Sequence, residues 1–241
     1  MKTTKPIGFI FLLTLMGWMA SAQELKTEAL LIHKCNDFSL SGKGDDSQWD
    51  KASWNPLQKL DEGSDAYESR FKILYSATGI YVFLTGVDNK ITTTYDKDFG
   101  DLYLADVFEV FLQPDPQLPL YLEYEVNALD KELVLLIPNM NGHISGWTPW
   151  HYDGNRKIVK KTSVTQGTAA PGAAIRSWSA ELFFPYPLFI PMSNTPPGPG
   201  TIWRANFCRL DYDTGKMIKW AWSPVERTFH EFAKFGTIQF E

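Results

Sequence analysis

The chain has 241 residues, of which 44% are hydrophobic and 15% aromatic, and a formal net charge of −5. An acidic balance of this kind disfavours nucleic acid and anionic membrane surfaces as partners, because both are polyanionic. The length fits one large all-β domain or two small ones, and since no Ser/Gly linker divides it a single domain is expected.

Lys2 and Lys5 precede an apolar run from Ile7 to Met19, and Ala20-Ser21-Ala22 forms a small-residue cleavage pattern before Gln23. Residues 1–22 therefore read as a secretory signal peptide. The run is shorter than the roughly 20 residues that span a bilayer, so residues 23–241 are expected to be exported to the periplasm or outside the cell, without membrane insertion after cleavage. Gln23 in place of Cys argues against a lipid anchor. Loss of the two lysines makes the remaining chain more acidic still. Cys35 and Cys208 would then meet a compartment that permits disulfides; their spacing leaves open a Cys35–Cys208 bridge or two buried free thiols.

Strand-length runs punctuated by turn residues fill the rest, with almost no helical period. The candidates are 70–76, 80–88, 106–113, 122–127, 132–137, 158–165, 177–184, 201–211, 219–222 and 236–240. Ala77-Thr78-Gly79 has the length of a hairpin connection, and 128–131 serves the next pair in the same way. Short helical turns are expected at 44–51 and 185–189. Many short strands at this spacing indicate an antiparallel β-sandwich.

The run Asp101 to Leu112, DLYLADVFEVFL, carries the sharpest chemical signal. Side chains alternate faces along a strand, so Glu109 shares a face with Val107 and Phe111, inside a segment otherwise apolar. A carboxylate there is costly unless it is paired, hydrogen-bonded or left for a ligand to satisfy. Tyr103 stands on the same side, and a flat aromatic beside a carboxylate suits a ligand with apolar faces and hydroxyl edges, such as a sugar. Asn127, closing the strand that begins at Leu122, adds an amide able to hold hydroxyls.

Further along, GWTPWHYDGNR places Trp147 and Trp150 three residues apart in a Gly/Pro-bearing loop, where both are hard to bury. Trp222, beside a Ser-Pro turn, is another candidate, whereas Trp49, Trp54, Trp178, Trp203 and Trp220 are expected to pack. Arg204 and Asn206 share a strand face and suit either a ligand's hydroxyls or the neutralisation of Glu109 or Asp106. Asp45-Asp46 and Asp96, Asp98 and Asp101 offer oxygens for calcium, though neither run has the twelve-position calcium loop. The four histidines show no zinc spacing.

Segments in order make a resemblance specific. GKGDDSQWDKASW, FKILYSATGIYVFLTGVD, YLADVFEVFL, WSAELFFPY and FHEFAKFGTIQF resemble carbohydrate-binding module family 9 across about Ser39 to Phe240. The resemblance implies a β-sandwich that clamps a terminal sugar ring between two aromatics, with a carboxylate holding hydroxyls and structural calcium near acidic loops. On this chain the clamp falls on Tyr103 and Phe229 and the carboxylate on Glu109; the family's arginine position is Glu125 and an amide position is Glu226. The expected function is carbohydrate binding accessory to polysaccharide breakdown by a glycoside hydrolase, or to a glycan-uptake system. Two other classes compete: a glycosidase using Glu109 with Asp106, Glu125 or Glu226, and a haem-binding sandwich using Met140, Met217, His143 or His151.

Overall fold

The computed structural model describes residues 28–62, 67–148, 152–190 and 192–241. Residues 1–22, for which a signal peptide is expected, and Trp150 and His151 lie outside the described residues. Among the described residues fourteen strands run in chain order as β1 (Leu30–Lys34), β2 (Asn55–Pro56), β3 (Gln58–Lys59), β4 (Ser69–Tyr75), β5 (Gly79–Val87), β6 (Val107–Gln113) and β7 (Leu120–Val126), followed by β8 (Glu132–Met140), β9 (His143–Ile144), β10 (Val159–Thr165), β11 (Ser177–Pro185), β12 (Ile202–Asp211), β13 (Ile218–Ala221) and β14 (Gly236–Phe240). Helical structure among the described residues is confined to 3₁₀ turns, including the two expected, at Ser47–Lys51 and Tyr186–Phe189.

One layer of the sandwich is β10-β11-β5-β4 and the other is β14-β12-β6-β7-β8, all antiparallel. β1 departs from the antiparallel expectation by running parallel to both its neighbours. Its first residues pair with β14 (Leu30 opposite Ile238) and its last with β4 (His33 opposite Leu74), so it crosses from one layer to the other. The layers meet through aromatic contacts: Phe71 of β4 stacks on Phe207 of β12 with ring centroids 3.8 Å apart, and Phe108 of β6 lies 4.1 Å from Trp178 of β11. Burying such rings supplies the bulk of the apolar free energy of a core.

β6 is buried on both faces. Phe108, Val110 and Leu112 enter the core between the layers, while Val107 and Phe111 enter a second apolar cluster with Val225, Phe229 and Phe235 from the segment that folds over the outer face. This cover explains why β6 shows no polar alternation, and it creates the buried outer surface on which Glu109 sits. At one end of the core the wholly buried Arg209 bonds Asp88 (3.0 Å) and Asp211 (2.6 Å), with Ser69 and the Val87 carbonyl as further acceptors. The two thiols are free and buried in separate clusters, Cys35 in one with Trp49 and Cys208 in another with Leu210.

Candidate functional site

Strand register gathers the acids. β6 and β7 pair so that Glu109 stands directly opposite Glu125, while Glu123, two residues along β7, keeps the same face. All three are almost wholly buried, at 3%, 4% and 1% exposure for Glu109, Glu123 and Glu125. They line a cavity of about 320 Å³ on the outer face of the β6-containing layer, within the size range of small-ligand sites. Leu135 and Ile137 of β8 and Leu210 of β12 supply apolar lining, Tyr103 and Phe229 contribute aromatic rings, and Lys219, Arg227 and His230 complete the charged and polar part.

The carboxyls lack internal compensation. Glu123 Oε2 and Glu125 Oε2 are buried without a hydrogen-bond partner, and the ion pairs of Lys219 go to Asp61 rather than inward. His230 Nε2 lies 3.9 Å from Glu123 Oε1, but burial pushes the imidazole towards its neutral form, and its Nδ1 is 3.0 Å from the Tyr121 hydroxyl. Burial therefore dominates the electrostatics. It lifts Glu123 to about 8 and, with the Glu123 charge adding to it, Glu125 to about 9. Glu109 is held well above the usual carboxylate range by burial and then by its two neighbours.

Tyr103 sits in the 3₁₀ turn Leu102–Leu104, and its carbonyl is fixed by the Tyr212 hydroxyl at 2.8 Å. The residue is 42% exposed, so its ring is available to a ligand. Phe229 is nearly buried and packs on Phe111, with centroids 6.4 Å apart. The segment that carries it is clasped by Glu231, whose carboxylate accepts the backbone N–H groups of Arg227 (2.6 Å), Thr228 (3.0 Å) and Glu226 (3.2 Å). Burial is the largest single influence and pushes the Glu231 carboxyl up, but these bonds and Lys234 together outweigh it and bring the carboxyl down to about 2.

Tyr103, Glu109 and Phe229 thus come to one cavity from three distant parts of the sequence. Of the other sequence candidates, Glu125 and Met217 line it, whereas Trp147, Trp222, Arg204, Asn206 and Asn127 do not. Trp147 is exposed one residue beyond Gly146, which does, and its backbone bridges Leu136 at the edge of β8. Arg204 donates to the Phe235 and Ala233 carbonyls instead of meeting Glu109, and Asn206 is bonded to Ser223. Trp222 packs against Phe71 and Phe207. Asn127 is a turn residue: its Oδ1 accepts from Leu129 and Lys131 and its Nδ2 donates to the Tyr95 carbonyl.

Three of the five acids considered for calcium have protein partners. Asp46 caps the 3₁₀ turn at Gln48, Asp45 accepts from Ser41, and Asp98 accepts from the Glu132 N–H and pairs with Lys160. Among the described residues the acidic group close enough to surround one ion is Asp88, Asp211 and Asp213, and Arg209 already bonds two of its members. Of the haem-ligand candidates, Met217 lines the cavity, whereas Met140 and His143 face each other in the β8–β9 hairpin. Glu123 was not singled out in the sequence. Its signal is the alternation LEYEV, which sets Glu123 and Glu125 on one face of β7, but only the register with β6 reveals that this face is Glu109's.

Residues 40–136 match the family model described as carbohydrate family 9 binding domain-like. The fold is similar to that of a Bacteroides uniformis protein proposed to bind carbohydrate, at 19% identity and a TM-score of 0.70, covering 89% of this chain and 100% of that one. It is also similar to a family 9 carbohydrate-binding module from Caldicellulosiruptor kristjanssonii. The complex of that module with cellotriose gives 15% identity, a TM-score of 0.62 and coverage of 89% and 94%; its complex with glucose gives 16%, 0.60, 88% and 95%. No curated protein matches the chain. At these identities the structural likenesses establish the fold.

Proposed function

We propose that this chain, which carries a domain like carbohydrate-binding module family 9, binds a sugar in the cavity between Tyr103 and Phe229. One observation carries the reading: a half-exposed aromatic ring stands over buried glutamates whose hydrogen-bonding capacity the protein leaves partly unused. A pyranose ring matches that arrangement, since its C–H faces pack on aromatic rings and its hydroxyls hydrogen-bond to carboxyl oxygens. The sugars bound by the Caldicellulosiruptor module, cellotriose and glucose, support the same class of ligand. Export through residues 1–22 would place the domain where polysaccharides are broken down or taken up, as an accessory to a glycoside hydrolase or to an uptake system.

Calorimetric titration with neutral and amino mono- and disaccharides tests the proposal. Tyr103→Ala is expected to weaken binding at least tenfold while leaving the melting temperature within a degree or two, because a half-exposed ring contributes little to the core. Unchanged affinity in that variant would move the site elsewhere.

A further inference from the structure

The cavity contains more acid than a neutral sugar requires. Hydroxyls both donate and accept, so one or two carboxyls can orient a ring, yet three converge on this wall from adjacent strands. Burying a carboxylate costs several kcal/mol unless a cation accompanies it, and no Lys or Arg among the described residues lies within 4.0 Å of any of the three. Two of the oxygens are buried and unbonded. Among the described residues, therefore, no lysine or arginine is in contact with the three carboxyls, although Lys219 and Arg227 line the same cavity.

Two kinds of cation could supply the compensating charge. A single divalent ion needs ligand oxygens drawn close together, and among the described residues the group that meets this condition is Asp88, Asp211 and Asp213, not the glutamates. Acids spread along two strands of an open wall suit an ammonium group carried on a larger body, which meets one or two carboxyls while the body fills the rest. Tyr103 and Phe229 suit the same ligand, because an aromatic face attracts an ammonium as well as packing on C–H groups. Lys219 and Arg227 also line the cavity and Cys208 lies opposite Glu109, but Lys219 is directed to Asp61 and Arg227 is an exposed residue.

We infer that the sugar received in this cavity is an amino sugar, its protonated amine seated against Glu109, Glu123 and Glu125. The inference rests on the sugar-binding reading above and names the class of sugar. Because burial lifts Glu123 to about 8 and Glu125 to about 9, seating an ammonium against them near neutral pH drives a proton from a carboxyl to the buffer. A neutral sugar has no such requirement.

The test is calorimetry on the whole protein with three disaccharides: the β-1,4 dimer of glucosamine, its N,N′-diacetyl form and cellobiose, at pH 6.5 in two buffers of different ionisation enthalpy. The glucosamine dimer is expected to bind at least tenfold more tightly than either neutral dimer, with an apparent heat that changes between buffers. Glu125→Gln is expected to shrink the ratio of amine to neutral affinity, with its circular dichroism and melting curve showing an intact fold. Cellobiose binding as tightly as the glucosamine dimer, or a ratio unmoved by Glu125→Gln, overturns the inference while leaving sugar binding in place. If none of these nor the wider sugar panel binds, the sugar-binding reading itself fails, and the inference with it.

Discussion

Glu109 is the residue on which structure and recognition divide most cleanly. Were it the partner of a buried cation, neutralising it would strand that charge at a cost of about 3–5 kcal/mol. Arg204, the arginine the sequence offered for that role, is instead spent on the Phe235 and Ala233 carbonyls. Glu109→Gln is thus expected to keep the shape, relieve repulsion from Glu123 and Glu125, and leave the melting temperature unchanged or raised, while sugar affinity falls by about 1.5–3 kcal/mol through loss of a charge-assisted bond. A lowered melting temperature with affinity intact would assign Glu109 to the fold. The same carboxyls set a pH dependence. A carboxyl whose folded-state pKa lies above its unfolded value gives its full stabilisation below the unfolded value and loses it as pH rises through the folded value. For Glu123 and Glu125, raised from 4.5 to about 8 and about 9, that window runs from the ordinary carboxylate range up to about 9, and Asp106, lifted to about 8 chiefly by burial, acts in the same direction. The ligand-free protein should melt at a higher temperature at pH 5 than at pH 9, and Glu125→Gln should flatten the slope; a maximum at pH 9 would contradict the assignment.

Among the elements, the covering segment from Val225 to Phe235 decides whether the cavity exists. It has little regular structure, and Glu231 organises it by accepting three consecutive backbone N–H groups. Glu231→Gln should loosen the Phe229 side of the cavity, so that sugar affinity falls severalfold while global unfolding changes little; faster backbone amide exchange at 226–228 would report the loosening directly, and protection equal to the wild type would refute it. Such a segment is hard to read from sequence because tertiary hydrogen bonds, not periodicity, fix it. The extents of β4, β5, β6, β7, β11 and β12 were legible to within a residue or two, since each is a strand-length, largely apolar run bounded by turn residues. The two-residue strands β2, β3 and β9 were not, because two residues carry no period. At the site, Glu109 and Tyr103 could be read within one short segment, and Phe229 through the resemblance. Glu123 required a cross-strand register that lies outside either strand's own sequence, and Arg204, Asn206 and Asn127 looked free only because their backbone partners are distant in sequence or hidden in turns.

At the scale of the whole molecule, one connection between the layers runs through β1, alone among the described strands in pairing parallel on both sides, and the short β2 and β3 make another by pairing with β4 and β13. Its backbone continues both ladders: Cys35 donates to the Tyr75 carbonyl at 2.8 Å and Glu241 donates to the Ile32 carbonyl at 3.1 Å. Without it, β14 would present an open edge and β4 would keep on that side only the short pairing of β2 at Arg70 and Phe71. The His33–Glu241 contact at 2.9 Å adds little, because both side chains are solvent-exposed. What fastens β1 is Ile32, wholly buried in the core between the layers, while the next side chain back, Leu31, points the other way and is 46% exposed. This alternation turns one short strand into its own control. Ile32→Ala removes a side chain where both layers meet and should cost about 2–5 kcal/mol, or roughly 2–4 °C of melting temperature for each kcal/mol in a domain of this size. Leu31→Ala should stay within about 0.5 kcal/mol. If β1 ties the layers into one cooperative unit, Ile32→Ala should still unfold in a single transition with the slope against denaturant unchanged. Equal losses in the two variants, or a second transition appearing with Ile32→Ala, would mean that β1 does not tie the layers into one unit.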